Sequence, residues 1–327
     1  MKITAAIPAY NCAKTIRATL ESVLDQTLRP DEILVCDDGS TDQTRSILES
    51  YKTRICIVDG KHSGAAAARN SLTARAQGDL IAFLDSDDIW HRTYLERQSE
   101  LLRSYPSAVA SFTGHVNFYG PGNYSWTSDP NTAEGQAELI SPRSFFQRYN
   151  TNTGTFGSMS HCCVPRWVFQ KMGDQPFQTR SADDFYFLNW ALLFGPVAYC
   201  PQPLAAYRIA EGSISHDRVL NYADRVKAFE LLEDRYCAPP APYRRKFKTF
   251  FAAHRRLLGK YLMGAGKKAE ARAQLRRALT TSADAESLAK SLFMLARTYL
   301  PPSLQPAWPN RYRNSDSKVQ YRNRLPA

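Results

Sequence analysis

Three polar clusters, each placed directly after a short apolar run, constrain the fold of this chain most. Pro8-Ala9-Tyr10-Asn11 follows the run at residues 2–7. Asp37-Asp38-Gly39-Ser40-Thr41-Asp42 follows residues 32–36, and Asp85-Ser86-Asp87-Asp88 follows residues 80–84. Between the first two, Ile16, Leu20, Val23 and Leu24 recur at helical spacing, and residues 43–51 also read as helix. Residues 55–58 make a further strand, and Gly64 opens an alanine-rich helix. Strand and helix alternating over short connections predict an α/β domain on a mainly parallel sheet. In such sheets ligands sit beyond the carboxyl ends of the strands. The three clusters are therefore expected to converge on one sheet edge.

Each cluster has a chemistry and a plainer alternative. Three carboxylates within four residues repel one another unless a cation or hydrogen-bond donors compensate. Mg²⁺ and Mn²⁺ take oxygen ligands, and Mg²⁺ commonly uses one or two carboxylates with substrate phosphates. Asp85, Asp87 and Asp88, with Ser86 between them, are thus expected to hold a divalent metal and a nucleoside diphosphate. The alternative is a helix-capping loop. Asp37 and Asp38 suit a base N–H or a ribose, or simply an N-cap with a glycine turn. Tyr10, in the loop with Pro8 and Asn11, is placed to stack on a base. Arg69, in the small-residue helix start Ala65-Ala66-Ala67-Ala68-Arg69-Asn70, is expected to contact the nucleotide. A dehydrogenase-type dinucleotide site would need GxGxxG after the first strand, where Pro8-Ala9-Tyr10-Asn11 stands instead.

Taken in this order and spacing, Pro8-Ala9-Tyr10-Asn11, the Asp37–Asp42 cluster, Ala68-Arg69-Asn70 and Asp85-Ser86-Asp87-Asp88 resemble the family 2 glycosyltransferases of GT-A fold, a Rossmann-like nucleotide-binding domain. The resemblance is strong over residues 1–105, continues to about residue 215 and is vague beyond. It implies a nucleotide-sugar donor, with UDP as the default, bound at the sheet edge and inversion at the anomeric carbon. It also implies a carboxylate base from a later acidic pair, which here matches Asp183-Asp184 with Asp184 as the base. The family has Glu where this chain has Asp183. Tyr207-Arg208 and Ser213-Ile214-Ser215 match a later family element, and Arg208 is expected at the leaving diphosphate, with His216 close by. An acceptor hydroxyl is a poor nucleophile and needs such a base within hydrogen-bond reach. The acceptor implied is a glycan or a lipid-linked glycan of cell-surface polysaccharide or glycolipid assembly. The alternatives are a non-catalytic nucleotide-binding relative and another nucleotide-dependent α/β enzyme.

The resulting division is a GT-A domain over 1–216, with a donor half (1–105) and an acceptor half (106–216). A helical region over 217–307 and a basic tail over 308–327 follow. Charge follows this division: the chain carries +11, yet residues 1–216 hold 19 Lys+Arg against 22 Asp+Glu. The positive excess lies beyond, where an anionic membrane surface is a candidate partner and Leu292, Leu295, Leu300 and Trp308 are candidate anchors. No recognition motif accompanies the charge, so nucleic acid is not expected. No secretory signal or apolar run of spanning length is seen, which predicts a cytoplasmic protein, on the inner membrane face if it binds lipid. The seven cysteines, with no CxxC pair, read as buried free thiols. His161 reads as packing or acceptor contact.

Overall fold

The structure, a computed structural model, describes residues 1–120, 124–126, 136–145, 158–209, 217–238 and 243–301. It divides into two compact units, Met1–Ala241 and Pro242–Ala327.

The first unit is built on one nine-stranded sheet. In chain order its elements are β1 (Ile3–Ala9), α1 (Ile16–Leu24), β2 (Glu32–Asp37), α2 (Thr44–Ser50), β3 (Cys56–Asp59), α3 (Ala65–Arg75), β4 (Leu80–Phe83), β5 (Ile89–Trp90) and α4 (Tyr94–Ser104). Then come β6 (Ala110–Tyr119), β7 (Glu138–Ile140), β8 (Cys162–Pro165), α5 (Arg166–Met172), α6 (Asp183–Ala191), β9 (Val197–Ile209) and α7 (Arg218–Cys237). The strands lie in the order β3-β2-β1-β4-β8-β6-β9-β5, with β7 on β9. The α/β architecture with a central sheet is as expected, but parallel pairing runs unbroken only through β3-β2-β1-β4. β8 joins antiparallel to β4 and β6, while β6 and β9 are parallel. Every residue of β1 is buried, as a strand between two parallel neighbours requires. α1 buries Ile16, Thr19, Leu20 and Val23, one face at helical spacing.

β9 runs through Pro201 and Pro203, although proline cannot donate to a strand ladder. The sheet absorbs them with register shifts on either side of Gly114 in β6. A Cβ at Gly114 would lie 2.4 Å from the Pro201 carbonyl oxygen. Gly114→Ala is therefore expected to cost about 1–3 kcal/mol through forced separation of β6 and β9. A denaturant midpoint equal to that of the wild type would rule this close approach out.

α7 groups with the sheet, in the unit Met1–Ala241. Its Asp224 accepts hydrogen bonds from the backbone of Arg180 (3.0 Å) and Ser181 (2.7 Å), and Asn221 donates to the Ser181 carbonyl (3.1 Å). Helix α7 thus holds the turn that leads into α6.

In the second unit α8 (Arg244–Gly264), α9 (Lys268–Thr281) and α10 (Ala285–Arg297) pack around Leu275 and Met294, with Leu257 and Leu295 against them. α8 ends in a Schellman turn. Gly266, at φ +77°, donates to the Met263 carbonyl at 3.1 Å, and Lys267 donates to that of Leu262 at 2.9 Å. The seven cysteines are free; Cys56, expected inside, is exposed because β3 is an edge strand. Among the described residues, no helix is long and apolar enough to cross a membrane.

Candidate functional site

The carboxyl ends of β1, β2 and β4 do meet at one edge. Parallel pairing aligns Ala9 with Asp37 and Ala6 with Phe83, so the loops that follow each strand emerge together. Asn11 ties two of them. Its backbone is left-handed (φ +48°), its N–H donates to Ser40 Oγ (3.1 Å), and its Oδ1 accepts from the Thr41 N–H (2.8 Å). Tyr10 stands exposed at this edge with its ring against that of His62, centroids 4.6 Å apart. His62 is held at φ +53° and was not foreseen, because nothing local in sequence pairs it with Tyr10.

Several residues expected to touch ligand are turned to structural work. Pro8 is buried within β1. Asp37 is buried, and its Oδ1 accepts the Ser40 N–H at 3.0 Å. Asp38 is buried too, with Oδ1 accepting from Ser63 (3.0 Å) and Oδ2 from Gly64 (2.7 Å). The Asp38 carboxylate thereby fixes the loop that carries His62, and only its remaining lone pairs are left for a ligand.

Arg69 differs most from expectation. It is 6% exposed and its guanidinium pairs with Asp85 through one nitrogen and with Asp183 through another. Burial works against its charge, but Asp183 and Asp85 outweigh it and hold Arg69 firmly protonated. Its neighbour Asn70 acts as a backbone mimic, donating to the Phe177 carbonyl (2.9 Å) and accepting the Phe177 N–H (3.0 Å). Helix α3 thus ties the Asp85 loop to the segment leading to Asp183-Asp184.

Asp184 sits half-buried in the first turn of α6, where the helix dipole favours a carboxylate. Burial and then the Asp183 charge nevertheless push it up to about 7, against Arg225. A carboxyl poised there is suited to take a proton near neutral pH.

Asp85, Ser86 and Asp87 are half-buried at the end of β4. Burial, followed by Asp85, raises Asp87 to about 6. Asp88, expected beside them as a metal ligand, is fully buried instead. Its Oδ1 accepts the Arg208 N–H at 2.7 Å. Arg208 reaches back to the same loop: its Nε donates to the Asp87 carbonyl at 2.6 Å and its guanidinium lies 4.3 Å from the Phe118 ring centre. Burial lowers its pKa despite Asp87 and Asp88. Arg208 therefore braces the loop from β9. Tyr207, beside it, is raised by burial and then by Asp88, Asp85, Asp87 and Asp184, which places it between the donor carboxylates and the base. His115 lies edge-on to Tyr207 and stacks on buried His161 at 4.8 Å, a pairing of distant histidines that sequence spacing could not suggest. Ser213, Ile214, Ser215, His216 and Trp308 lie outside the described residues.

Among the described residues no three His, Cys, Asp or Glu side chains are grouped to hold a divalent cation unaided. Asp85 and Asp87 are half-buried side by side at the end of β4, and burial first, then the Asp85 charge, raises Asp87 against Arg208 and Arg69. That fits a hard cation shared between two carboxylates and substrate phosphate oxygens, with Asp88 outside the set.

Comparison with known proteins agrees with this geometry. The sequence profile of the family described as Glycosyl transferase family 2 matches residues 4–174. The chain is 45% identical over 119 residues to the UDP-Glc:alpha-D-GlcNAc-diphosphoundecaprenol beta-1,3-glucosyltransferase WfaP of Escherichia coli, covering 36% of this chain and 46% of that protein. It is 44% identical over 117 residues to the putative teichuronic acid biosynthesis glycosyltransferase TuaG of Bacillus subtilis, covering 35% and 46%. The alignments thus span about half the length of these relatives. Among solved structures, S. aureus TarS 1-349 in complex with UDP-GlcNAc superposes with a TM-score of 0.69 at 17% identity, over 99% of this chain and 93% of that one. The mannosyltransferase PcManGT from Pyrobaculum calidifontis, in complex with GDP-Man and Mn²⁺, gives 0.57 at 18% identity, over 98% and 87%. At such identities the likeness shows the GT-A fold alone.

Proposed function

Given that the chain belongs to glycosyl transferase family 2, we propose that it moves a sugar from a UDP-sugar to the hydroxyl of a lipid-diphosphate-linked glycan, with inversion, during cell-surface polysaccharide assembly. One observation carries the reading. A single guanidinium, Arg69, spans from Asp85 at the donor edge to Asp183, the residue before Asp184. Donor carboxylates and candidate base are therefore held near one another from two different segments, which supports a displacement with the base and the leaving group supplied from separate sides.

Each residue then has a task. Tyr10, backed by His62, offers a flat face for the base, and Asp38 holds the loop behind it. Asp85 and Asp87 would hold Mg²⁺ or Mn²⁺ together with the diphosphate, and the metal when bound would neutralise charge on the leaving group. Asp184 takes the proton of the attacking hydroxyl. Arg208 and buried Asp88 fix the Asp85–Asp88 loop so that Asp87 keeps its orientation. The relatives named for UDP-glucose and diphosphoundecaprenol acceptors, with the UDP-GlcNAc complex of TarS, support UDP and a lipid-linked acceptor. That acceptor puts the reaction at the cytoplasmic face of a membrane.

Calorimetric titration with UDP, dTDP and GDP, with and without Mn²⁺, tests the donor site. UDP binding that strengthens with Mn²⁺ is expected, and Asp87→Ala is expected to weaken it by about 2–3 kcal/mol, the scale of a lost charge-assisted contact. Binding indifferent to both metal and Asp87 would overturn the metal assignment, and no binding of any nucleotide would overturn the donor site.

A further inference from the structure

Helix α10 of the second unit is inside out. Positions 285, 288, 289, 292, 293 and 296 share one face at helical spacing, and all are exposed. They are Ala285, Leu288, Ala289, Leu292, Phe293 and Ala296. Tyr299 and Leu300 continue the stripe past the helix end, with Leu292 51% and Tyr299 55% exposed. The buried face carries Ser287, Ser291 and Thr298 beside Met294. Its polar groups are bound inward. Arg256 Nη1 donates to Ser287 Oγ (2.9 Å) and Ser291 Oγ (3.0 Å), and Arg272 Nη2 donates to the Thr298 carbonyl (2.9 Å). Asp284 caps the helix by accepting the Ser287 N–H at 2.7 Å.

A helix on a globular unit ordinarily turns its apolar stripe to the core. Here rotation would hide the stripe only by stripping Arg256 of buried partners, and a buried guanidinium left without them is costly. The stripe is therefore kept outward, and a contiguous exposed apolar patch marks an interaction surface.

Charge selects the partner. Residues 243–301 hold 14 Lys+Arg against 3 Asp+Glu. Two arginines frame the stripe itself: Arg272 lies 4.1 Å from the Tyr299 ring centre, and Arg276 donates to the Tyr299 hydroxyl at 2.8 Å. A second copy of so positive a unit would be repelled. An anionic bilayer satisfies both halves of the surface, apolar side chains entering the acyl boundary while arginines meet lipid phosphates. We propose that the outward face of α10, framed by Arg272 and Arg276, is a docking surface for an anionic membrane, with the helix lying in the interface plane. This deepens the reading of a lipid-linked acceptor and rests on it only for its biological sense.

The test is co-sedimentation of the full chain with phosphatidylcholine vesicles, with and without phosphatidylglycerol. Binding is expected to the anionic vesicles, to weaken with salt, and to fall by about tenfold in Leu292→Glu and again in Phe293→Glu, each removing one inserted side chain. Arg276→Gln should weaken binding to anionic vesicles and leave the weak binding to neutral ones unchanged. Both glutamates replace exposed side chains, and an unaltered helical melting curve confirms that the variants fold. Leu292→Ala, with a smaller loss, gives a second reading free of added charge. Failure to bind anionic vesicles, or equal binding by the glutamate variants, overturns the proposal. So does a wild-type dimer that Leu292→Glu disperses without any vesicle binding. UDP titration of the same samples reports the donor site separately, so loss of one reading is not confused with loss of the other.

Discussion

Replacing Asp184 by Asn is expected to lower kcat by about 10²–10⁴-fold, the usual worth of a general base, while leaving UDP affinity unchanged. The wild-type rate should carry the titration of the same group. Burial and Asp183 favour its protonated form, and its pKa stands at about 7. Only the ionised form accepts the acceptor proton, so kcat/KM rises with pH through about 7 and falls about tenfold per unit below it. In Asp184→Asn that limb should vanish, leaving a flat residual rate. Steady-state rates with a soluble acceptor analogue between pH 5 and 9 decide it. A variant that keeps both its rate and its acid limb would mean that another group takes the proton.

The second large effect belongs to Arg69. Its side chain and that of Asp183 are 7% and 9% exposed, and Asp85 is 27% exposed. Removing the guanidinium leaves one buried carboxylate and one partly buried carboxylate without a counter-charge. Arg69→Met should therefore cost about 3–5 kcal/mol of stability, the range for breaking a buried pair by removing one partner. The sign of the pH dependence is fixed. Asp183 is raised above its unfolded value, by burial first and against Arg69, so the native state holds the extra proton. Stability is then lost as pH rises from the unfolded value through the folded one. Without Arg69 the folded value climbs further and the loss extends to higher pH. Arg69→Met should thus be worst in alkaline urea titrations and mildest in acid, and Asp183→Asn added to it should restore part of the deficit. A deficit that is the same at every pH would show that Arg69 serves by packing alone.

The strand-end clusters were readable in sequence because each is local: an apolar run followed by acids within four residues needs no knowledge of the rest of the chain. What stayed hidden is what depends on distant partners. Arg69 and Asp183 are 114 residues apart, so the ion pair that ties the arginine's loop to the Asp183 segment had no signal in sequence. Asp38 looked available because the donors it accepts from, the Ser63 and Gly64 amides, lie in another loop. Asp88 read as a third metal ligand because alternation cannot say which of adjacent acids turns inward until β9 supplies the Arg208 amide. Pro8 and Cys56 were misjudged for one reason: side-chain direction in a strand has meaning only once its neighbours in the sheet are known. Leu292 was legible as an apolar residue of a basic region, but that the opposite face of its helix is buried through serines and Arg256 was not.

The pairing of β6 with β9 sets an order of events. Ala110 sits beside Val197, and the strands continue in parallel to Tyr119 and Ile209. Closing so long a loop is entropically expensive and slow compared with joining β1, β2, β3 and β4, whose connections are short. The donor edge can therefore form while the chain is still being synthesised, but Arg208 reaches the Asp85–Asp88 loop only after β9 has emerged and docked. Until then β6 and the short β5 present open hydrogen-bonding edges. The interval between these two events is when a nascent chain of this design is most exposed to pairing with the wrong neighbour.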